Sequence, residues 1–323
     1  MGIRTALLVS SLIILFPYEQ AAAQDWPTRP IQIVVASGAG GSADIIARII
    51  AEKLAPVLGQ PVVIENRPGA GGNTGAGWVA RANADGYTLL MSGSPTHSVG
   101  PHLFKNLSYH AMRDVPPVAM VAVAPNLLVV DAGSPIMSVS DLINLAREKP
   151  GTVTFSSGGI GTTGHLAGEL LKASASVKML HVPYKDGTQG AIGVLTGDVT
   201  FTFFTLPSLL PLIEAGKLRA IAFTSAERIK LMPDVPTVAE SGFPGFEVVA
   251  WYALFAPRGT PDAVVTKLSR QIETIVNRDD FRDQMAKLGT EPRYMSPQQV
   301  VDYVAVESPK WGALLKDIGA PLN

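Results

Sequence analysis

Short β-branched runs alternate along this chain with apolar residues at helical spacing, and glycine-rich turns join them. Ile31 to Ala36 reads as a buried strand. A glycine-rich turn follows, with Ser42 at the N-cap position. Ile45, Ile46, Ile49, Ile50, Leu54, Val57 and Leu58 then fall on one helical stripe that Gly59 ends. Val62 to Ile64 reads as a second strand, Thr74 to Arg81 as a second helix and Thr88 to Met91 as a third strand. Such alternation implies a parallel sheet with helices on both faces.

The pattern recurs after the proline-rich stretch Val115-Pro116-Pro117. Asn126 to Val130 is an apolar strand, and Asp141 to Lys149 a helix with Ser140 as cap and Gly151 as stop. Val153 to Phe155 is a strand and His165 to Ala173 a helix. Met179 to Val182, Thr200 to Phe204 and Arg219 to Phe223 complete a second sheet. Phe246 to Ala256 is an extended crossing segment. Helices over Pro261 to Val276, Asp279 to Leu288 and Pro297 to Ile318 close the chain, two of them opened by Thr260-Pro261 and Ser296-Pro297. Two similar halves with long extended connections imply two lobes: residues 24–124 with 227–323, and residues 125–226. Ligands of open α/β sheets bind beyond the carboxyl ends of the strands, which between two lobes means a cleft.

The start of the chain carries an export pattern. Arg4 precedes an apolar run from Thr5 to Phe16, and Ala21-Ala22-Ala23 follows. A basic start, a short apolar centre and an Ala-x-Ala end describe a secretory signal over residues 1–23, cleaved after Ala23 to give a periplasmic protein. The run falls short of the ~20 residues of a membrane span. With 0 cysteines, disulfides, thiol nucleophiles, zinc–thiolate sites and a lipid anchor are excluded. A net charge of −1 offers no basic face for nucleic acid. A hydrophobic content of 47% is enough for a core, and the mature chain is expected to be a soluble monomer.

Three strand-to-helix turns are glycine-rich: Ala36 to Asp44, Arg67 to Gly75 and Ser156 to His165. Each opens a helix, whose first N–H groups lack partners and lie at the positive end of the dipole. Glycine lets a ligand approach those amides, so each turn is a candidate anion cradle. Ser42, Thr74, Thr162 and Thr163 add hydroxyls. The first and third turns contain no Arg or Lys, and Arg67 alone precedes the second. Gly159-Ile160-Gly161-Thr162-Thr163-Gly164 also matches a dinucleotide fingerprint, with Asp186 about 20 residues further on. That is the case for a secreted oxidoreductase using the same cleft. Against it stand the export signal and the lack of an accompanying acid/base pair. Ser92 and Ser94 lie near His97, but Gly-x-Ser-x-Gly is absent and Pro95 spoils a nucleophile elbow. The histidines have no metal-ligand spacing. His165 either bonds its own turn or touches a ligand. The reading is a binding protein that needs no cofactor or metal.

The mature start Asp25 to Ile31, Gly40-Gly41-Ser42-Ala43-Asp44, Glu65 to Ala76, Asp85 to Leu90, Ser157 to Leu170, His181 to Lys185, Pro233 to Glu240 and Trp251 to Pro257 occur in one order along the chain. Together they resemble the Bug-type (TctC-like) receptors, the extracytoplasmic solute-binding component of tripartite tricarboxylate transporters. The resemblance implies an α/β Venus-flytrap fold of the type II periplasmic binding proteins. Each lobe would be a mainly parallel sheet flanked by helices, with crossing strands between the two. It implies a small carboxylate ligand and a membrane permease as partner. The ligand contacts it implies are Gly40, Gly41, Ser42 and Asp44, then Asn73 and Thr74, then Ser157, Gly161, Thr162, Thr163 and His165. Tyr184 and Asp186 come from the second lobe, and Ser92 completes the set. Asp44 would accept from the ligand, hold a water, or cap its own helix. The family usually has an aromatic residue and prolines before the first Gly-Gly, where this chain has Ala36-Ser37-Gly38-Ala39. A smaller loop with less apolar wall is expected to admit a bulkier or aromatic carboxylate.

Overall fold

The computed structural model describes residues 26–317, and the signal expected over residues 1–23 lies outside them. The first half runs β1 (Ile31–Val35), α1 (Ser42–Leu58), β2 (Val62–Asn66), α2 (Asn73–Val79) and β3 (Thr88–Gly93). A π-helical turn over Pro95–Val99, α3 (Gly100–Leu103) and α4 (Ala111–Asp114) lead into the long strand β4 (Pro117–Asp131). The second half runs α5 (Val139–Glu148), β5 (Thr154–Ser157), α6 (Thr163–Ser174), β6 (Leu180–Pro183), α7 (Gly187–Leu195), β7 (Phe201–Thr205), α8 (Leu206–Glu214) and β8 (Leu218–Phe223). The chain returns through β9 (Val249–Phe255) and continues as α9 (Asp262–Val276), α10 (Asp279–Ala286), β10 (Glu291–Met295) and α11 (Pro297–Asp317).

β4 belongs to both sheets. Its first part, Pro117 to Pro125, pairs with β9, and β10 flanks it. From Asn126 to Asp131 it pairs with β7 and β8 instead. One sheet therefore reads β2-β1-β3-β9-β4-β10 and the other β6-β5-β7-β4-β8. Each has a parallel wing of the expected βα units, β2-β1-β3 or β6-β5-β7. The remaining pairings are antiparallel.

Strand alternation sends side chains to both faces, so each sheet needs a helical layer on either side. Ile31, Ile33 and Val35 face α1, α9 and α10, whereas Val34 faces α2 and α11. In the second sheet Leu128 and Val130 face α5 and α6, whereas Leu127 and Val129 face α7 and α8. These side chains are fully or almost fully buried, each worth about 1.5–3 kcal/mol of burial. Val238, Phe246 and Val248, between β8 and β9, also pack in the core under α5 and α6, as do Trp311 and Leu315 of α11.

Several local expectations are corrected. Gly41 holds the N-cap position of α1 and makes no side-chain cap, while Ser42 is the helix's first residue. Ser138, not Ser140, caps α5: its Oγ accepts from Asp141 N at 3.1 Å. Pro261 caps α9, and Thr260 donates instead to Pro257 O at 2.8 Å. The helices α7 and α8 and the strand β10 were not expected. Gly187, Gly190 and Gly193 dilute the helical signal of α7, and Pro207 and Pro211 read as breakers in α8.

Candidate functional site

Every parallel strand of both sheets points its carboxyl end at one cleft. From the first lobe come the β1–α1 loop, the turn between β2 and α2, and Ser92 and Gly93 at the end of β3. The second lobe supplies the β5–α6 turn, the β6–α7 turn with Lys185, Asp186 and Gly187, and Thr205 between β7 and α8. Ala250, Trp251 and Tyr252 of β9 form part of the wall.

The lobes are closed on each other. Ser42 Oγ lies 2.6 Å from Thr205 Oγ1 and 3.1 Å from Ser208 Oγ, across the cleft. A Cβ at Gly38 would stand 2.7 Å from Asp186 Oδ2, and one at Gly71 would stand 2.7 Å from Ile160 O. Both distances are below any real contact, so the missing side chains are what let the loops meet. The cleft holds a space of about 110 Å³, room for a small molecule.

Of the expected site residues, Gly41, Ser42, Ser92, Thr162, Thr163 and Asp186 line this cleft. Tyr184 instead lines an adjoining cavity with Phe104, Ile160 and Pro183. The others do not line the cleft: Gly40 and Thr74 are exposed, and the rest are buried or half-buried in the turns. Asp44 is buried. Its Oδ2 accepts from Gly40 N at 3.0 Å and Arg48 Nε at 3.1 Å, and its Oδ1 from Asn66 Nδ2 at 3.0 Å. Burial alone would raise its pKa, but the Arg48, Gly40 and Asn66 donors outweigh that and hold it below the usual range. Its oxygens thus bind its own loop and not the cleft. Asn73 donates to Ala70 O at 2.7 Å and accepts from Tyr109 Oη at 2.7 Å, facing inward. The Thr74 hydroxyl packs under Gly69, whose φ of +128° only glycine tolerates.

In the third turn the imidazole of His165 accepts from Gly161 N at 3.3 Å. Its ring packs against His181, with centroids 4.4 Å apart. Ser157 Oγ is 2.7 Å from His181 Nε2 and bonds the Gly159 backbone. Burial keeps both imidazoles neutral at physiological pH. It pushes His165 down, and it takes His181 to about 3, with help from the repulsion the two rings would feel if both were protonated and from the Lys172 charge.

The charge around the cleft differs from the sequence expectation. Arg67 pairs with Glu65 at 2.6 Å and lies over the Trp78 ring, with 4.1 Å to its centroid. Lys185, in the β6–α7 turn, lines the cleft instead. Lys185, Thr205, Phe204 and the β9 residues were missed. Lys185 lies between the expected Tyr184 and Asp186, whereas the unread helix α8 hid the turn at Thr205. Nothing local marks β9 as cleft wall, because its position follows from pairing with β3 and β4.

Comparison with known proteins agrees with this geometry. A family model described as the tripartite tricarboxylate transporter family receptor matches residues 46–320. A UPF0065 protein from the tcbD–tcbE intergenic region of Pseudomonas sp. strain P51 is 38% identical over 90% of this chain and 86% of its own length. The BugT protein of Bordetella pertussis is 35% identical over 94% of this chain and 93% of its own. Among solved structures, R. palustris Rpa4515 with adipate superposes with a TM-score of 0.90 at 38% identity, covering 92% of this chain and all of that one. MatC from Rhodopseudomonas palustris with bound malate gives 0.84 at 32%, covering 90% of this chain and 100% of the other. The chain therefore belongs to the tripartite tricarboxylate transporter family receptors and is a solute-binding receptor of the two-lobed periplasmic binding protein fold.

Proposed function

We propose that this receptor captures a small organic carboxylate between its lobes in the periplasm and delivers it, chemically unchanged, to a membrane permease of the tripartite tricarboxylate type. The observation that carries the reading is the convergence of glycine turns and helix starts from both lobes on one small closed cleft. Helix-start amides suit a carboxylate, and the relatives solved with adipate and malate bind such acids. Gly41, Ser42, Ser92, Thr162, Thr163 and Asp186 are the proposed contacts, with Lys185 as the neighbouring cation. Gly40, Asp44, Asn73, Thr74, Ser157, Gly161 and His165 shape the turns, and Tyr184 guards the adjoining cavity. We place the lobe crossings near residues 125 and 249, instead of 227 for the second. Packing of Val238, Phe246 and Val248 in the second core supports that shift. The mature protein acts as a monomer after loss of residues 1–23.

A thermal-shift screen of ligand-stripped protein against aliphatic, hydroxy, amino and aromatic carboxylates tests the reading. A ligand at 100 times its Kd contributes about 2.7 kcal/mol, a clear rise in Tm. Recovery of that ligand unaltered supports the receptor, whereas product formation sinks it.

A further inference from the structure

Hydroxyl groups carry one proton each, and on the cleft wall three of those protons are already committed. Thr162 Oγ1 donates to Gly159 O at 2.8 Å. Thr163 Oγ1 donates to Asn126 Oδ1 at 3.1 Å. The Asn126 amide is oriented for this because its Nδ2 donates to Val248 O at 3.2 Å. Ser92 is committed through a longer relay. His97 is buried and stacked on Phe255, with centroids 3.7 Å apart, and its Nε2 lies 3.2 Å from Val115 O. A carbonyl can only accept, so Nε2 bears the hydrogen. Burial depresses the imidazole pKa to about 3, so the ring is neutral and Nδ1 bears a lone pair.

Among the described residues, Thr96 Oγ1, at 2.8 Å, is the group placed to donate to Nδ1. Gly93 O, at 3.2 Å, competes for the same proton but is the longer contact. Losing the competition would leave a buried ring nitrogen bare, which is costly. Thr96 has then spent its proton, so across the 2.7 Å contact Ser92 must be the donor. Ser92 is a cleft-wall residue, 6% exposed, and its hydroxyl is left with lone pairs alone to offer a ligand.

We propose that Ser92 is a specificity-determining hydrogen-bond acceptor. Locked by Thr96 and His97 and seconded by Thr162 and Thr163, it recognises an O–H or N–H on the ligand. The receptor then selects carboxylates bearing a hydroxyl or ammonium group over unsubstituted acids of the same length. The inference rests on the carboxylate reading above. The division of labour follows from hydrogen-bond polarity. Backbone amides and Lys185 suit carboxylate oxygens, while the committed hydroxyls of Ser92, Thr162 and Thr163 and the Asp186 carboxylate, also on the wall, suit donors. A second carboxylate oxygen set against Ser92 would put lone pair against lone pair.

Calorimetry with two length-matched sets decides it: succinate, malate and aspartate, and adipate with 2-aminoadipate. The wild type is expected to bind the substituted member of at least one set about tenfold tighter or more, the worth of one unmatched hydrogen bond. Whether hydroxyl or ammonium wins identifies the donor. Ser92→Ala is expected to cost that ligand about tenfold and leave the unsubstituted acid within about twofold. Thr96→Val, which returns the Ser92 proton to the cleft, is expected to shrink the preference. If Thr96→Val cannot be purified folded, Ser92→Ala decides alone. Equal binding of substituted and unsubstituted acids, or a preference untouched by Ser92→Ala, overturns the inference, since a bridging water then supplies the proton. Failure of every carboxylate here and in the thermal-shift screen, aromatic acids included, overturns instead the reading on which it rests.

Discussion

Gly38 shows how much a single missing side chain decides. Its Cα faces the Asp186 carboxylate across the cleft, and a Cβ would stand 2.7 Å from Oδ2. Asp186 cannot turn away cheaply, because its Oδ1 accepts from Gln189 N at 2.9 Å to cap α7. A Gly38→Val receptor is therefore expected to fold normally and close poorly. Its ligand affinity should fall tenfold or more in calorimetry, its radius of gyration in solution scattering should rise, and its unliganded Tm should stay within about 2 °C. Unchanged affinity would show that the loops do not meet in the bound state. Asp44 makes the opposite case, since it looks like a ligand group and serves its loop. Asp44→Ala removes the buried carboxylate that accepts from Gly40 N and Asn66 Nδ2 and is expected to cost about 1–3 kcal/mol in urea unfolding. At this scale the glycine clusters and hydroxyls of the turns were legible in the sequence. The direction of each side chain was not, because Asp44 and Ser42 lie two residues apart and point at different partners.

Among the elements, boundaries were read well where a stop was chemical and less well where a cap had two candidates. Gly59 ends α1 with φ +68°, as glycine can. At α5, Ser138 and Ser140 are equally good capping residues by type. The choice falls to Ser138 because its backbone is extended, φ −148° and ψ 165°, while Ser140 already lies within the helix. Ser138→Ala is expected to cost about 0.5–2 kcal/mol, and Ser140→Ala less than about 0.5, by chemical denaturation; equal losses would contradict the assignment. Strand β3 carries a sharper constraint. A Cβ at Gly93 would fall 1.7 Å from Trp251 O on β9. Gly93→Ala must spread that strand pair and is expected to lower Tm by more than 10 °C or prevent folding.

For the whole molecule, the buried neutral histidine sets an acid limit. His97 titrates at about 3 in the folded protein against 6.5 when exposed, so between those values the unfolded chain binds more protons. Its stabilising contribution is therefore intact above pH 6.5 and declines as pH falls toward 3, by up to about 1.4 kcal/mol per pH unit. His181, depressed by burial, His165 and Lys172, acts in the same direction. Tm measured from pH 7 to 4 should fall steadily, and a His97→Phe variant should show a shallower slope whatever its absolute stability. Equal slopes would mean that the ring is charged in the fold. By itself the sequence determined the alternation of strand and helix, the three glycine turns, the pairing of two α/β halves and the family. Those rest on periodicity and local backbone freedom, which neighbours along the chain report. Tertiary structure alone decided that β4 runs through both sheets and that β9 walls the cleft. It also set Lys185 beside the cleft in place of Arg67 and directed the Ser92 proton inward to Thr96. Each of these depends on partners far apart in sequence, and hydrogen-bond polarity is settled only when every donor and acceptor of a network is in place.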